Sequence, residues 1–276
     1  FWALVDELDE IFNGSIFPIS RVERRKVTAE HLELLRSVIM LGHEIDANGV
    51  QISFSDFHFA SLRTETLSAV YELFFENQGN DQKENDGAFY TPPYLVDYVL
   101  TRIDEIQTLQ DGTTILDCTA GSGVFLVGAF RRIVESSLGK NSHRPLTLRL
   151  LKQLLTRNIF AIERNVDACS VAAFSLYLTL LDYLSPRDLR SLAGRKGGAD
   201  KIFPSLIGKN ILCRDFFDQK PFPASFPKKF DCLVGNPPWQ KIEKIGKLAK
   251  TYYKKHEKDL PIDRDRAAEL FVWSSV

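Results

Sequence analysis

Long apolar runs, a signal-peptide pattern and clustered cysteines are all lacking in this sequence. No apolar stretch approaches the roughly 20 residues that a membrane helix needs, and the chain does not open on the charged, apolar and small-residue regions of a signal peptide. We therefore expect a cytoplasmic protein without membrane association. The four cysteines are far apart and lack the paired spacing of a zinc or redox motif, which predicts reduced structural thiols and no metal site.

A strong excess of charge of either sign is also absent. The formal net charge of −1 excludes a uniformly basic coat for nucleic acid, although a local patch can still bind phosphates. One segment, residues 240–259, is rich in lysine and poor in acids. Its lysines are Lys241, Lys244, Lys247, Lys250, Lys254, Lys255 and Lys258. From charge alone, the segment is either a solvated loop or helix face or a contact surface for DNA phosphates.

The chain is long enough for one large domain or for a domain with a helical appendage. It has 276 residues, of which 44% are hydrophobic, and this fits a packed core. The first residue is Phe1 rather than Met, and Val276 lies inside an apolar helical pattern. We therefore expect the chain to be a fragment of a longer protein.

Hydrophobic periodicity divides the chain into a helical region and an α/β region. Up to about residue 80 apolar side chains recur at helical spacing, and residues 77–86 have the composition of an exposed loop. A helix is predicted after Pro92 and Pro93, because proline is tolerated in the first helical turn. Short β-prone runs at residues 113–118, 158–163, 210–214 and 230–235 then alternate with helical stretches at residues 124–138, 146–157 and 166–183.

Strands that alternate with helices predict an α/β fold, with a mostly parallel sheet and helices on both faces. We assign residues 1–85 to a helical N-terminal region and residues 86–276 to the α/β domain. Ligands of such folds bind at the carboxyl ends of the strands. The residues that follow each β-prone run are therefore the functional candidates.

The first run ends in a candidate cofactor loop, Asp117-Cys118-Thr119-Ala120-Gly121-Ser122-Gly123, and a helical pattern follows at once. Glycine allows a tight turn and a close approach of a ligand to the backbone. No Lys-Ser or Lys-Thr pair follows, which excludes a nucleoside-triphosphatase loop, and the third glycine of the dinucleotide fingerprint is missing. An acid ahead of the glycines suits a ligand with an ammonium group, such as S-adenosylmethionine.

The second and third runs end in acids that suit the nucleoside half of such a cofactor. Glu163 is positioned to accept hydrogen bonds from two ribose hydroxyls. Its distance along the chain from Asp117 is well beyond the roughly 20 residues that the dinucleotide motif allows. An extra helix between the strands accounts for this distance. Asp215 and Phe216 offer a carboxylate to an adenine amino group and an aromatic face to its ring.

The fourth run ends in Asn236-Pro237-Pro238-Trp239, the most specific signal in the chain. Two prolines remove two amide donors and leave carbonyl oxygens beside the Asn236 oxygen as acceptors. An amino group could donate both of its hydrogens there, which would aim its lone pair at an electrophilic methyl group. Trp239 could stack on the base that carries the amino group.

With these segments in this order, the chain resembles the gamma-arrangement N6-adenine DNA methyltransferases, in which the cofactor segments precede the catalytic one. The resemblance covers roughly residues 65–276 and includes the segment Gly87-Ala88-Phe89-Tyr90-Thr91-Pro92. Val70-Tyr71-Glu72 and a long insertion before Glu163 are most similar to large fused, type IIG-like restriction-modification or phage-defence methylases.

The resemblance implies a Rossmann-like class I methyltransferase fold, S-adenosyl-L-methionine as cofactor and double-stranded DNA as partner. The cofactor residues that it implies are Phe89, Thr91, Asp117, Thr119, Gly121, Gly123, Glu163, Arg164, Asp215, Phe216 and Pro238. It also implies that Asn236, Pro237, Pro238 and Trp239 form the catalytic segment. Asn236 and the Pro237 carbonyl would bind the amino group of a flipped-out adenine.

Two departures from the family pattern concern the cofactor loop and the end of the chain. Cys118 stands where proline is usual and Ala120 where cysteine is usual, but the acid and the glycines remain, so we expect cofactor binding to survive. Residues 264–276 resemble the helix after the catalytic segment, and the family's later strands and target-recognition region do not follow. We therefore expect the isolated chain to bind cofactor weakly or not at all and to methylate no DNA unaided.

Two other functions stay open at this point. A methyltransferase that acts on RNA or on a protein glutamine amide would also need acceptors for a planar amino group. Trp239, where a protein-amide enzyme more often has Tyr, and residues 87–92 weigh against it. A catalytically silent subunit with the cofactor fold is the other alternative, and the intact segment from Asn236 to Trp239 weighs against that.

Overall fold

The computed structural model describes residues 1–12, 21–41, 63–66, 69–71, 91–140, 146–193, 202–256 and 266–275. The chain divides into two compact units, residues 1–63 and residues 64–276. The domain boundary expected at residue 85 and the polar stretch at residues 77–86 lie outside the described residues. No described helix is both long and apolar enough to cross a membrane.

The first unit consists of helices in its described part. They are α1 (Trp2–Ile11), α2 (Arg21–Lys26) and α3 (Ala29–Leu41). The Thr28 hydroxyl accepts a hydrogen bond from the His31 backbone amide at 3.4 Å, which satisfies a donor of the first turn of α3. Arg24 pairs with Asp6 at 2.5 Å and lies over the Trp2 ring, so α2 is attached to α1.

The second unit alternates strands with helices. In chain order the elements are α4 (Pro93–Ile106), β1 (Ile115–Asp117), α5 (Val124–Lys140), α6 (Leu148–Asn158), β2 (Ile159–Glu163), α7 (Val166–Asp182), α8 (Pro186–Ala193), β3 (Ile211–Cys213), β4 (Cys232–Val234), a 3-10 helix (Ile242–Lys244), α9 (Lys247–His256) and α10 (Ala267–Ser275). Pro93 occupies the first turn of α4, as its fixed φ angle favours. Asn165 caps α7 by accepting hydrogen bonds from the backbone amides of Asp167 and Ala168.

The four strands form one parallel sheet in the order β3-β2-β1-β4. β2 and β3 extend the sheet to one side of β1, and β4 then pairs on the other side. The direction of winding therefore reverses between β1 and β4. In open parallel sheets this reversal opens a crevice at the carboxyl ends of the two strands, where ligands bind.

The two faces of the sheet are covered differently. α5 and α7 contact the strands on one face. On the other face Leu116, Phe160, Ile162 and Leu212 pack with Phe226 from the loop that joins β3 to β4. A cavity of about 710 Å³ lies on this second face, bordered by that loop and by Tyr252 of α9 and Ser274 of α10.

The predicted Rossmann-like α/β fold with a parallel sheet is confirmed. All four predicted strands are present, each shorter at its ends than the β-prone run that predicted it. The helices after Pro92 and at residues 124–138, 146–157, 166–183 and 264–276 are also confirmed. α8 was not predicted, and residues 247–256 of the lysine-rich segment form α9, which leaves its function as a solvated face or a DNA contact a prediction. All four cysteines lie among the described residues, and none of them forms a disulfide.

Candidate active site

The acids and the amide singled out in the sequence meet at one edge of the sheet. Asp117 ends β1 and Glu163 ends β2, whereas Asp215 and Asn236 each follow their strand by two residues. Because the strands are parallel, all four residues lie at the same edge. Asp117 and Asn236 flank the crevice between β1 and β4.

Asp117 is the most deeply buried acid of this edge. Its side chain is 1% exposed, and its Oδ1 atom accepts a hydrogen bond from the Thr119 amide at 3.0 Å. The pKa of Asp117 is raised to about 7, mainly by burial; the Thr119 hydrogen bond opposes this shift and the nearby Glu163 adds to it. A buried carboxyl group of this kind gains from a cation placed beside it, because the cation stabilises the ionised form.

Gly235, which the sequence motifs did not single out, fits directly against Asp117. Its φ angle is 145°, and a Cβ atom built on it would lie 2.6 Å from Asp117 Oδ1 and 3.2 Å from Thr119 Oγ1. Any larger residue would therefore displace the buried carboxyl group or the catalytic segment. The available signal was a glycine at a strand end, immediately before Asn236.

Glu163 supports the glycine loop as well as facing the site. Its Oε2 atom accepts a hydrogen bond from the Gly121 amide and its Oε1 atom one from the Asn165 amide, both at 2.8 Å. Each carboxylate oxygen keeps a second lone pair for a further donor. Arg164, the next residue, is exposed. The sequence did not indicate that Glu163 joins β1's loop to the start of α7.

Gly123 brings the loop close to a helix. Its φ angle is 84°, and a Cβ atom there would lie 2.9 Å from the Ala172 Cβ atom of α7. Its amide donates to the Ala120 carbonyl oxygen at 2.8 Å, which closes the turn. The second glycine of the predicted loop is thus required by packing, whatever ligand the loop holds.

Arg214 organises the loop that carries Asp215 and Phe216. Its guanidinium group donates to the carbonyl oxygens of Asp218 at 2.6 Å, Lys220 at 2.8 Å and Pro221 at 3.4 Å. Asp215 Oδ1 accepts from the Phe217 amide at 2.8 Å, which closes a tight turn. The guanidinium group also pairs with the Asp218 carboxylate at 3.6 Å and lies over the Phe222 ring. Sequence patterns did not indicate Arg214, because the carbonyl oxygens that accept its hydrogen bonds carry no side-chain signature.

Phe216 lies half-buried where two apolar clusters meet. It packs against the sheet cluster of Leu116 and Phe160 and also against the cluster of Phe217, α9 and α10. Cys118 of the glycine loop packs on the second cluster too, so the loop after β3 and the glycine loop contact the same apolar cluster. One ring face of Phe216 is tilted toward Phe271 at 5.3 Å.

Asn236 is held between two partners. Its Nδ2 atom donates to Thr91 Oγ1 at 3.2 Å, and its Oδ1 atom accepts from the indole Nε1 of Trp239 at 2.7 Å. Thr91 is buried, whereas Trp239 is 69% exposed. The amide is therefore oriented, with its oxygen toward the exposed indole. Pro237 and Pro238 are half-buried between them.

Hydrogen bonds and close packing join eight of the predicted residues in the described site. They are Thr91, Asp117, Thr119, Gly121, Gly123, Glu163, Asn236 and Trp239. Phe89 lies outside the described residues. Asp215 and Phe216 stand at the same edge of the sheet, beyond Glu163. The individual roles expected for all these residues stay predictions.

Comparison with known proteins identifies the family that shares these segments. The family described as "N-6 DNA Methylase" matches residues 62–183, and the family described as "Eco57I restriction-modification methylase" matches residues 157–276. Together these ranges include every segment of the site. Over residues 62–276 the chain is thus similar to N6-adenine DNA methylases of restriction-modification systems. The resemblance found in the sequence is thereby confirmed.

Restriction-modification proteins are among the individual relatives of this chain. It is 22% identical to the type II restriction enzyme and methyltransferase RM.Eco57I of Escherichia coli, over 70% of the chain and 23% of that protein. It is 30% identical to the type II methyltransferase M.BstVI of Geobacillus stearothermophilus, over 62% of the chain and 28% of that protein. The chain therefore spans about a quarter of the length of these curated relatives.

Two solved structures match about three quarters of this chain. A modification subunit of a putative type I restriction enzyme from Vibrio vulnificus YJ016 is 20% identical, with a TM-score of 0.43 over 78% of this chain and 36% of that one. DrdV in complex with DNA is 16% identical, with a TM-score of 0.49 over 76% of this chain and 21% of that one.

Proposed function

We propose that this methylase transfers a methyl group from S-adenosyl-L-methionine to N6 of an adenine that is flipped out of double-stranded DNA. The observation that carries the proposal is the position of Asn236. Its amide lies at the crevice between β1 and β4, one residue from Gly235, which fits against the Asp117 carboxyl group. An acid for a cationic cofactor and acceptors for an amino group are thus adjacent, as methyl transfer to an amine requires.

The residues present fit S-adenosylmethionine. Thr119 Oγ1 is buried and has no hydrogen-bond partner in the described part of the chain, so a polar ligand atom can satisfy it. The buried Asp117 suits the methionine ammonium group, which would favour its ionised form. When bound, the cofactor supplies an electrophilic methyl group. The remaining residues that would hold it are Phe89, Thr91, Gly121, Gly123, Glu163, Arg164, Asp215, Phe216 and Pro238.

Asn236 and Pro237 would prepare the amino group of the target. The lone pair of an aromatic amine is delocalised into the ring, which makes the nitrogen a poor nucleophile. Asn236 Oδ1 and the Pro237 carbonyl oxygen would accept its two hydrogens and favour a pyramidal nitrogen, whose lone pair then points away from them. This is catalysis by position and electrostatics, and it needs no strong base beforehand.

Trp239 would stabilise the extruded base. Taking an adenine out of the duplex costs a few kcal/mol, and stacking on an aromatic side chain returns about 1–3 kcal/mol. The exposed indole of Trp239 is available for such stacking at the mouth of the crevice. Pro238 would pack beside it.

Replacement of Asn236 by Ala tests this proposal. In the full-length protein, Asn236→Ala should abolish methyl transfer, because the main acceptor for the amino group is lost, while S-adenosylmethionine affinity stays near the wild-type value. Single-molecule sequencing of DNA modified by the wild-type protein identifies the methylated base and its context. Unchanged turnover in the variant would eliminate the role of Asn236. Methylation of RNA or of a glutamine amide, but not of DNA, would replace the proposed substrate.

We also propose that the chain acts as part of a longer polypeptide with a target-recognition region. The basis is its length, about a quarter of that of its curated relatives. The chain by itself would then methylate no DNA, because the recognition sequence would be read by that other region of the polypeptide. We propose a cytoplasmic location, where a restriction-modification enzyme meets DNA.

A further inference from the structure

The lysine-rich segment after the catalytic residues folds into a two-sided helix. In α9, Ala249 is buried and Tyr252 and Tyr253 are partly buried against the cluster of Phe217 and Phe271. The exposed positions carry the charge. Lys247, Lys250, Lys254 and Lys255, here called the lysine face, all point away from that cluster and are exposed.

Part of the lysine face is unfavourable for the helix that carries it. α9 has no acidic residue in its first turn, where the helix dipole favours one, and Lys247 stands there instead, whereas Lys254 and Lys255 stand in the last turn, where the dipole favours cations. Lys250 and Lys254 are four residues apart, at the spacing where like charges repel each other on a helix surface. No ion pair between these four lysines and a carboxylate is formed within the described residues. Helix stability thus accounts for Lys254 and Lys255 but not for Lys247 and Lys250.

The helix is fixed next to the reacting end of the site. The Tyr252 ring lies 5.3 Å from Phe217, which directly follows Phe216. The Ala267 amide donates to the Gln240 carbonyl oxygen at 2.9 Å, so the start of α10 is joined to the residue after Trp239. Cys118 of the glycine loop packs on the same cluster. The lysine face is thus attached to both the catalytic segment and the cofactor loop.

We infer that the lysine face of α9 binds the phosphates of duplex DNA beside the flipped adenine. This inference rests on the proposed function and assigns a contact surface to its substrate. The chain as a whole has a formal net charge of −1, so attraction of DNA needs a local surface. Several lysines on one helix can contact successive phosphates along a duplex. These lysines would orient the DNA so that the extruded base reaches Asn236.

The test compares two triple variants of the full-length protein. One replaces Lys247, Lys250 and Lys254 with Gln. The matched control replaces Lys209, Lys228 and Lys229 with Gln, which removes the same charge from exposed positions that precede β3 and β4, at the opposite edge of the sheet. The dissociation constant for a duplex is measured against salt by fluorescence anisotropy, and S-adenosylmethionine affinity is measured for both variants.

Each phosphate contact contributes about 0.9 to the slope of log affinity against log salt. The α9 variant should therefore show a slope shallower by about 2–3 than that of the wild type. Between about 50 and 200 mM salt, its fold-loss of DNA affinity should be roughly 40 times smaller than that of the wild type. The control should keep the wild-type slope, and both variants should keep the wild-type cofactor affinity. Equal slopes in the α9 variant and the wild type would overturn the inference, as would an equal change in the control.

The proposed function is judged separately, by the wild-type protein alone. DNA methylation by the wild type together with an unchanged slope in the α9 variant would overturn only the lysine-face contact. Absence of adenine methylation in the wild type, with a slope that still depends on the lysine face, would overturn the proposed reaction and leave a DNA-binding surface.

Discussion

The hydrogen bond from Trp239 to Asn236 predicts that the target base must compete with the enzyme's own side chain. The indole Nε1 lies 2.7 Å from Asn236 Oδ1, the atom that is proposed to accept a hydrogen from the adenine amino group. Binding of the flipped base therefore first breaks this bond. Trp239→Phe removes the competing donor and keeps an aromatic ring for stacking.

The size of the effect follows from the bond that is removed. A hydrogen bond of this kind contributes about 0.5–1.5 kcal/mol net, so Trp239→Phe should bind a flipped adenine about 2- to 12-fold more tightly. Trp239→Ala removes the bond and also the stacking surface, which is worth about 1–3 kcal/mol per base. The alanine variant should therefore bind the flipped base more weakly than the phenylalanine variant by about 5- to 150-fold.

The assay uses a duplex in which the target adenine lies opposite an abasic site and 2-aminopurine is its neighbour in the same strand. Extrusion of the adenine unstacks the 2-aminopurine and raises its fluorescence, so a titration with the full-length protein gives the dissociation constant for each variant. Weaker binding by Trp239→Phe than by the wild type, to the same extent as by Trp239→Ala, would refute the reasoning. In that case the indole N–H assists the base and does not compete with it.

Two further predictions concern the contact between Gly235 and Asp117. Gly235→Ala should lower S-adenosylmethionine affinity more than tenfold in isothermal titration, because its Cβ atom would lie 2.6 Å from Asp117 Oδ1. Gly112→Ala is the control, because Gly112 has a φ angle of 96° and open space around it. This control adds similar backbone strain of about 1–3 kcal/mol and should leave the affinity unchanged. Cofactor affinity should also rise about tenfold from pH 6 to pH 8 and then level off. The reason is that Asp117 has a pKa of about 7, so at lower pH it is protonated and cannot pair with an ammonium group. Proton release measured by titration in buffers of different ionisation enthalpy checks the second prediction, and Asp117→Asn should flatten the profile; a flat profile in the wild type would contradict it.

Local patterns were sufficient for the elements and for the candidates at their ends. The four strands are short apolar runs bounded by turn residues, and the alternation with helices restricts them to a parallel sheet. A parallel sheet brings the carboxyl ends of its strands together, so Asp117, Glu163 and Asn236 could be expected at one edge before any coordinates. The segment from Asn236 to Trp239 carries its chemistry in its own composition.

Contacts between distant parts of the chain decided the rest. That β4 pairs with β1, although β3 precedes it, depends on which edge of the sheet the long loop reaches. The close approach of Gly235 to Asp117 follows from that pairing. The support of Gly121 by Glu163 follows from the pairing of β1 with β2, and the bond from Asn236 to Thr91 joins β4 to the start of α4. Periodicity within a segment contains no information on such distances. The lysine-rich segment was ambiguous for a related reason, since the narrow apolar side of α9 can be recognised as a packing surface only once the Phe217 cluster is known. The sequence by itself thus determined which groups are available for chemistry. Tertiary structure decided which of these groups touch, because hydrogen bonding and close packing depend on the sheet register and not on order along the chain.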